Sequence, residues 1–454
     1  MSPLQQEIAG ASLLLILFLT VIALAEFATR RGWLAPEPAR KSVHLIGGLG
    51  CLMFPFLVDS WISVIALAVL LSSALFYGER CGKLRSLAAV GRKSIGSLLF
   101  PIAVLFLFVV SNGKTWLYIA SLLVLVLADT AAALAGTRFG KLRYETYPGQ
   151  QKTVEGTAVF FLVSFIALYL SLLFLSPFTP AAGLWVALLM ALLLAGLEAV
   201  SIGGTDNIFV PIGTWFMLYK AAGKHLFELS FQSISLITIA ILLPLINRRA
   251  RTFRTRPMVI FILIGFAVWA LGSLEWLIPV LSCLLMYNTL CKNCEPLPCD
   301  LTARRLMRPF YPSLIILFLA NALWTFDFWF APFIVATASA TTLCIESRFL
   351  SDPKHTALAG KKAVSALLLP PIISLLLCLP MQGVAVLKIM PLVLLLCMAA
   401  ALSYRLLKRT NTHAFPGAYI ITIHTSAAAL LYAGLQALNL VKPLTPFTWM
   451  EVFR

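Results

Sequence analysis

The apolar residues of this chain occur in continuous runs, and most of the charged residues lie in the short segments between them. The first run covers residues 8–28, and the next ones begin near Val43 and Trp61. Many of the runs are roughly 17–22 residues long, the length that a helix needs to cross a bilayer. They are continuous rather than alternating, which excludes the strands of a membrane barrel. The pattern predicts an all-α, polytopic transmembrane helical bundle.

The basic residues are unevenly distributed among the connections between these runs. Basic connections tend to lie on the cytoplasmic side of a membrane. If the N-terminus lies outside, every basic connection falls on that side, which predicts about sixteen spans with both termini outside. The strongly basic segment 248–256 separates two predicted membrane domains, residues 1–247 and 257–454. The basic connections lie at residues 30–41, 80–93, 138–152, 248–256, 292–308, 348–362 and 405–409.

Composition narrows the class of protein further. Hydrophobic residues make up 60% of the 454 residues and charged residues only 12%, about half the charge of a soluble protein. The formal net charge of +17 could indicate a nucleic-acid partner, but the basic residues follow the membrane topology and form no basic domain. We therefore expect an integral, multi-pass membrane protein that does not bind nucleic acid.

The central part of the first half holds the candidate chemistry. Asp129 interrupts an apolar run, and a carboxylate in hydrocarbon costs several kcal/mol unless it has a partner. Phosphoryl transfer needs oxygen ligands for Mg²⁺, cations for the phosphates and a group that orients the attacking hydroxyl. The candidate metal ligands and bases are Asp129, Glu155, Glu198 and Asp206. The candidate phosphate-binding residues are Arg92, Lys93, Arg138, Lys141 and Lys152, with Gly136, Gly140 and Gly156 allowing close approach of the backbone.

These residues occur in a pattern that resembles the signature of the CTP-dependent polyprenol kinases, a family that includes dolichol kinase, phytol kinase and the yeast-type diacylglycerol kinase. Four elements stand in the family's order between residues 40 and 213. They are Arg40-Lys41-Ser42-Val43-His44; Gly91-Arg92-Lys93-Ser94-Ile95-Gly96 with Phe100-Pro101; Asp129 to Gly136 with Phe139-Gly140-Lys141 and Lys152-Thr153-Val154-Glu155-Gly156; and Glu198 with Asp206-Asn207 and Pro211.

The resemblance implies transfer of the CTP γ-phosphate to an isoprenoid alcohol such as phytol, dolichol or another polyprenol, with Mg²⁺ or Mn²⁺, at the cytoplasmic face. Asp129 and Asp206 would bind the metal, and Lys141, Lys152 and Thr153 would contact the triphosphate. Further roles fall to Glu155, Glu198 and Asp206-Asn207, which would complete the metal site or activate the alcohol, and to His44, which would orient the hydroxyl or sense phosphate. The sequence does not say which carboxylate is the base.

Two alternatives to the kinase hypothesis remain. A phosphatidate cytidylyltransferase-like enzyme shares the Asp, Gly-Lys and Lys-Thr-x-Glu-Gly pattern, but its later Gly-His-Gly-Gly signature is missing here. A polytopic transporter would also have intramembrane acids, although at mid-membrane rather than beside lysines and glycines.

The second half of the chain faintly resembles the phytyl-phosphate kinase family. Thr341 stands where that family has an aspartate, which predicts a degenerate, structural or substrate-holding domain.

Overall fold

The computed structural model of the protein describes residues 2–81, 96–147, 150–201, 204–250, 255–291, 308–349, 359–410 and 417–446. The chain divides into two compact units, Met1–Ile239 and Ala240–Arg454, and each is described by itself. The two domains predicted from the sequence stay a prediction, because compact packing does not show that either part acts alone.

The first unit is built from helices and one small hairpin. Its elements are α1 (Pro3–Arg30), α2 (Pro36–Cys51), α3 (Phe54–Leu57), α4 (Trp61–Arg80), α5 (Gly96–Ser111), α6 (Thr115–Leu123), a π-helical turn (Val124–Ala128), α7 (Asp129–Phe139), β1 (Arg143–Tyr147), β2 (Gln150–Thr153), α8 (Val154–Leu175), α9 (Pro180–Val200), α10 (Asp206–Ala221) and α11 (Leu226–Ala250).

The second unit is helical throughout the part of it that the structure describes. Its elements are α12 (Thr255–Leu271), α13 (Leu274–Leu290), a 3₁₀ turn (Arg308–Phe310), α14 (Tyr311–Leu323), α15 (Phe326–Phe349), α16 (Ala359–Gln382), α17 (Ala385–Thr410) and α18 (Gly417–Ala437). Helix α15 is the central element of this unit, because it is almost entirely buried and packs against α16, α17 and α18.

Nine helices within the described ranges are long and apolar enough to cross a membrane, and five shorter apolar helices accompany them. This confirms the helical, multi-span part of the sequence prediction. The total of about sixteen spans and the placement of both termini outside stay predictions.

The start of α2 differs from the sequence prediction. The apolar run suggested a span beginning at Val43, with the basic residues before it in a loop. Instead the helix begins at Pro36, with Pro at its first position and Glu37 in its first turn, both of which favour a helix start. Arg40, Lys41 and His44 therefore lie inside one helix, on positions three and four residues apart that share a face.

Asp129 follows a distortion within a long continuous helix. Helices α6 and α7 are joined without a break by the π-helical turn Val124–Ala128. Such turns occur often at functional sites, because they widen the helix and change the direction of the side chains that follow. The turn is also deeply buried, since Val124, Leu125 and Val126 are fully enclosed.

Beside its helices, which confirm the all-α prediction, the first unit contains one short β-hairpin. Strands β1 and β2 pair antiparallel between α7 and α8, with Tyr144 opposite Lys152 and an irregularity after Glu145. The sequence pattern predicted only a basic connection over this segment. Its residues are too polar to lie in hydrocarbon, and strand pairing satisfies their backbone groups while it fixes the position of Lys152.

Two apolar clusters hold the first unit together. One joins α6, α8, α9 and α10 and contains Phe160, Val186 and Met190. The other joins α1, α3, α4, α5 and α6 and contains Phe18 and Tyr118. Between bilayer-embedded helices such contacts act through close packing rather than through the exclusion of water, so small residues at the contact points are important.

Two adjacent glycines of α2 allow a direct test of this packing. A Cβ atom at Gly48 would come within 2.9 Å of Val126 Cγ1 and 3.1 Å of its Cβ, whereas one at Gly47 would meet nothing closer than Phe18 Cδ1 at 3.9 Å. We predict that Gly48→Ala lowers the stability by about 1–3 kcal/mol, because α2 must shift away from the π-helical turn. Gly47→Ala, the control, should leave the Tm in detergent unchanged or raised. Equal Tm values for the two variants would contradict this packing.

Candidate active site

The first unit contains a cavity of about 490 Å³ that is polar at one end and apolar at the other. Helix α2 runs along its length and contributes residues to both ends. The polar end is formed by Arg40, Lys41, His44, Asp129, Lys152, Ser201, Asp206 and Asn207. The apolar end is formed by residues that include Phe18, Val21, Cys51, Phe54, Val64 and Leu67. A cavity of this size is typical of a site for a small molecule.

Asp129 lies at the polar end and is paired with a buried lysine. The Nζ atom of Lys41 donates a hydrogen bond to Asp129 Oδ2 at 2.6 Å, and His44 Nε2 lies 3.5 Å from the same oxygen. The Lys41 side chain is only 7% exposed and that of Asp129 17%. A lysine is almost never buried without a partner, and a carboxylate within a membrane span needs one too. The pair therefore satisfies two charges that neither α2 nor α7 could bury alone.

A second cluster of charges forms around Lys152. Its Nζ atom donates to Glu198 Oε1 at 2.7 Å, to the Glu198 carbonyl oxygen and to Ser201 Oγ at 2.8 Å. Ser201 in turn donates to Asp206 Oδ2 at 3.3 Å. Because Glu198 and Ser201 lie at the C-terminal end of α9, the ammonium group also interacts favourably with the helix dipole. The hairpin, α9 and the start of α10 are thus joined through one lysine.

The two clusters are electrostatically connected through Arg40. This guanidinium forms an ion pair with Glu37 at 2.7 Å and also interacts with Asp129 and Asp206. The negative charges of Asp206 and Asp129 repel the carboxylate of Glu198. The site therefore combines three cations with several carboxylates around one polar volume.

Asn207 ties this site to helix α5. Its Nδ2 atom donates to the Gly96 carbonyl oxygen at 2.9 Å, and its backbone N–H donates to Asp206 Oδ1 at 3.0 Å. Both residues lie in the first turn of α10, where an acidic side chain is favoured by the helix dipole. Asn207 therefore fixes the carboxylate of Asp206 relative to the helix that follows segment 82–95.

The three predicted nucleotide-binding glycines pack α7 against α8. A Cβ atom at Gly136 would approach Thr153 Oγ1 to 2.8 Å, and one at Gly156 would approach it to 2.9 Å. A Cβ atom at Gly140 would approach Thr153 Cγ2 to 2.5 Å. Thr153 caps α8 by accepting a hydrogen bond from the Gly156 N–H at 3.1 Å. These contacts explain the residue types by packing, and a role of Thr153 and the glycines in nucleotide binding stays a prediction.

Other predicted site residues lie apart from the cavity or outside the described residues. Glu155 accepts a hydrogen bond from the Leu142 N–H at 3.1 Å and does not line the cavity, and Lys141 is exposed beside it. Arg92 and Lys93 belong to segment 82–95, which the structure does not describe. The functional roles predicted for all four stay predictions.

Several residues of the site were not among the sequence candidates. Lys41 and Arg40 were noted only as part of a family motif, and their spacing to His44 would have placed all three on one helix face had the start at Pro36 been recognised. Ser201, which lines the cavity, gave no signal in the sequence, and neither did Tyr144, which lies on the neighbouring strand β1. The Tyr144 hydroxyl lies 2.7 Å from Thr157 Oγ1, and burial raises its pKa to about 12, so it is a neutral hydrogen-bonding group at physiological pH.

The donor set at the polar end fits one divalent cation shared with a phosphate. Within the described ranges, no group of three or more His, Cys, Asp or Glu side chains is arranged to hold a metal ion. Mg²⁺, however, is commonly bound by one or two carboxylates and by the phosphates of a substrate. Asp129 and Asp206 both line the cavity and provide two such carboxylates.

The corresponding element of the second unit is arranged differently. Thr341 is buried in α15 and donates to the Thr337 carbonyl oxygen at 2.7 Å, a bond within the helix. Glu346, one turn further on, forms an ion pair with Arg405 of α17. The position that resembles an aspartate of the phytyl-phosphate kinases thus carries a helix-bonded hydroxyl, so a structural or substrate-holding role stays the prediction for this unit.

The fold and the cavity together define a class, an integral membrane protein whose first unit contains a cavity with both polar and apolar lining residues. The chain is 33% identical over 209 residues to a phytol kinase from Synechocystis sp., a match that covers 45% of this chain and 88% of that relative. The chain therefore belongs to the phytol kinase-like family. No family model matches it, and no solved structure matches it.

The ion pair between Lys41 and Asp129 can be tested by a double-mutant cycle. Lys41→Met should lower the stability by about 3–5 kcal/mol, because it leaves a buried carboxylate without its partner. Lys41→Met combined with Asp129→Asn should recover much of this loss, because neither charge remains. The measurement is the Tm of each purified variant in detergent. Additive losses in the double variant would contradict a direct interaction.

Proposed function

We propose that this protein is a lipid kinase that transfers the γ-phosphate of CTP to the hydroxyl group of an isoprenoid alcohol. The observation that carries the proposal is the cavity, in which an apolar end continues into a polar end formed by Lys41, Asp129 and Lys152. An alcohol with a long apolar chain and a single hydroxyl group matches this division. The relative named as a phytol kinase supports the same substrate class.

The cations at the polar end suit a triphosphate. Lys41, Arg40 and Lys152 place three positive charges around the cavity, and each is held near a carboxylate in the absence of substrate. Phosphoryl transfer depends mainly on positioning and on neutralising the charge that develops on the phosphate oxygens. These ion pairs hold the three cations beside the cavity before substrate binds, so positive charge is already present where phosphate oxygens would lie. The choice of CTP rather than ATP rests on the family resemblance.

The reaction replaces one phosphorus–oxygen bond by another. The alcohol oxygen forms a bond to the γ-phosphorus, the bond from that phosphorus to the bridging oxygen breaks, and CDP leaves with the electron pair. The hydroxyl proton must pass to a base at the polar end. The carboxylates that line this end are Asp129 and Asp206, and the contacts of Asp129 with Lys41 and His44 place it beside α2, the helix that also lines the apolar end.

Asp129 and Asp206 would together hold Mg²⁺ or Mn²⁺, which when bound would neutralise negative charge on the phosphates. His44 Nε2 is buried and has no hydrogen-bond partner among the described residues, so it is available to donate a hydrogen bond to the substrate hydroxyl or to accept one from it. The positive charge of the connections on this side of the predicted spans supports a position of the polar end at the cytoplasmic face, where a nucleotide would be present.

The activity is tested with purified protein in detergent, γ-labelled CTP and a panel of acceptor lipids. We expect label to appear in the phosphate of an isoprenoid alcohol, and Asp129→Asn to reduce the rate by at least about a hundredfold. Asp59→Asn is the matched control, since Asp59 is exposed and does not line the cavity. A fully active Asp129→Asn enzyme would show that the assignment of Asp129 is wrong.

The position of the label separates this proposal from the cytidylyltransferase alternative. A kinase transfers label from γ-labelled CTP and none from α-labelled CTP. A cytidylyltransferase attaches the nucleotide itself, so only α-labelled CTP would label the lipid. Transfer from the α position would therefore exclude the kinase reaction proposed here.

A further inference from the structure

The apolar end of the cavity is bounded by buried side chains. We define the cavity floor as Phe18, Cys51, Phe54 and Val64, all of which are less than 10% exposed. The rings of Phe18 and Phe54 meet edge to face with their centroids 6.1 Å apart. Four elements, α1, α2, α3 and α4, each contribute one of these residues, so the floor lies where four helices converge.

The floor is also firmly supported from behind. Tyr118 of α6 is buried, and its hydroxyl donates a hydrogen bond to the Cys51 carbonyl oxygen at 2.8 Å. Leu14 and Val58 belong to the same buried cluster and are almost completely enclosed. A floor that is packed on its far side cannot yield easily to a longer ligand, because protein interiors are close-packed.

Helix α2 runs from the polar end of the cavity to the floor, so its rise gives the distance between them. Lys41, His44, Gly47 and Cys51 line the cavity at intervals of three or four residues, which places them on one face of the helix. Helices rise about 1.5 Å per residue, so Lys41 and Cys51 are separated by roughly 15 Å, about the length of three to four isoprene units. Phe54 follows one turn further on.

Gly47 keeps the middle of the cavity open. Its neighbours Gly48 and Gly50 are each covered by a side chain, from Val126 and Leu17 respectively. Gly47 instead faces the cavity, with only Phe18 Cδ1 at 3.9 Å from an added Cβ atom. A longer side chain at this position would therefore fill the cavity between His44 and the floor without disturbing the packing of α2.

We propose that the cavity selects its substrate by chain length, with the floor residue Phe54 setting the longest isoprenoid alcohol that binds fully and Gly47 keeping the path to the floor open. This inference rests on the proposed function, because it specifies which acceptor alcohols that reaction uses. It restricts the efficient acceptors to alcohols of roughly four isoprene units or fewer, judged from the rise of α2, and it excludes long polyprenols such as dolichol as good substrates.

The test compares kcat/KM for geraniol, farnesol, geranylgeraniol, phytol and dolichol in three variants of the full chain. Phe54→Ala should raise kcat/KM for alcohols longer than the best wild-type acceptor by about tenfold or more, relative to kcat/KM for that acceptor. Gly47→Leu should lower kcat/KM for geranylgeraniol relative to kcat/KM for geraniol by a similar factor. The control is Phe56→Ala on the same short helix, since Phe56 is 63% exposed and Phe54 only 3%. It should keep the wild-type preference. Phe54→Leu replaces Phe54→Ala if the latter does not fold.

A second measurement separates failure of this inference from failure of the proposed function. The Tm shift caused by each alcohol, without nucleotide, reports binding in the cavity independently of phosphate transfer. A shift that rises with chain length, reaches a maximum and moves with the Phe54 and Gly47 variants supports the inference even if CTP is not the donor. Active enzyme with an unchanged preference in both variants, or with dolichol as its best acceptor, would overturn the inference and leave the kinase proposal intact.

Discussion

The burial of Asp129 is the constraint on which the first unit depends. A carboxylate in the middle of a helix with an apolar surface must be given a cation, and the chain supplies Lys41 from α2 at 2.6 Å. That bond fixes α2 against the π-helical turn, and Gly48 allows the two backbones to approach there. Because α2 continues from the ion pair to Cys51 and the floor, the same helix determines both ends of the cavity. Removing the charge would affect folding, the polar end and the apolar end together.

A second lysine, Lys152, reaches the polar end of the cavity from the hairpin between α7 and α8. Lys152 lies on a strand opposite Tyr144 and reaches the C-terminal end of α9, where Glu198 and Ser201 accept its hydrogen bonds. The site is therefore built from segments far apart in sequence, and each contributes a charge that the others neutralise. Burying a charge in such a network costs free energy unless the charge has its partner. This is a physical reason why the lysines and carboxylates of the site occur together in a chain with so few charged residues. This arrangement also keeps cations close to where a triphosphate would bind.

The sequence revealed some parts of this arrangement more readily than others. Continuous apolar runs predicted the helical membrane fold, because only helices satisfy backbone groups over such lengths in lipid. The cost of an unpaired carboxylate drew attention to Asp129, and the family pattern connected it to Glu198 and Asp206. The pairing of Lys41 with Asp129 could not be derived, since it depends on a helix start at Pro36 within a segment that looks like a basic loop.

The hairpin that positions Lys152 was missed for a similar reason, because a short polar turn between spans gives no strand pattern. The apolar end was equally hidden, since Phe54 and Phe56 have the same residue type and only the fold distinguishes the buried ring from the exposed one.

The central claim is that one cavity holds the alcohol, with its hydroxyl group near Asp129 and its chain along α2. Photoaffinity labelling tests this most directly. Two isoprenoid alcohols of equal length, one with a diazirine next to the hydroxyl group and one with it at the chain terminus, are crosslinked to the protein and the labelled peptides are identified. The account predicts labelling of peptides around His44 and Asp129 by the first probe and of Phe54 and Val64 by the second, with both competed by unlabelled alcohol. Labelling of the second unit alone, or the same sites for both probes, would contradict it.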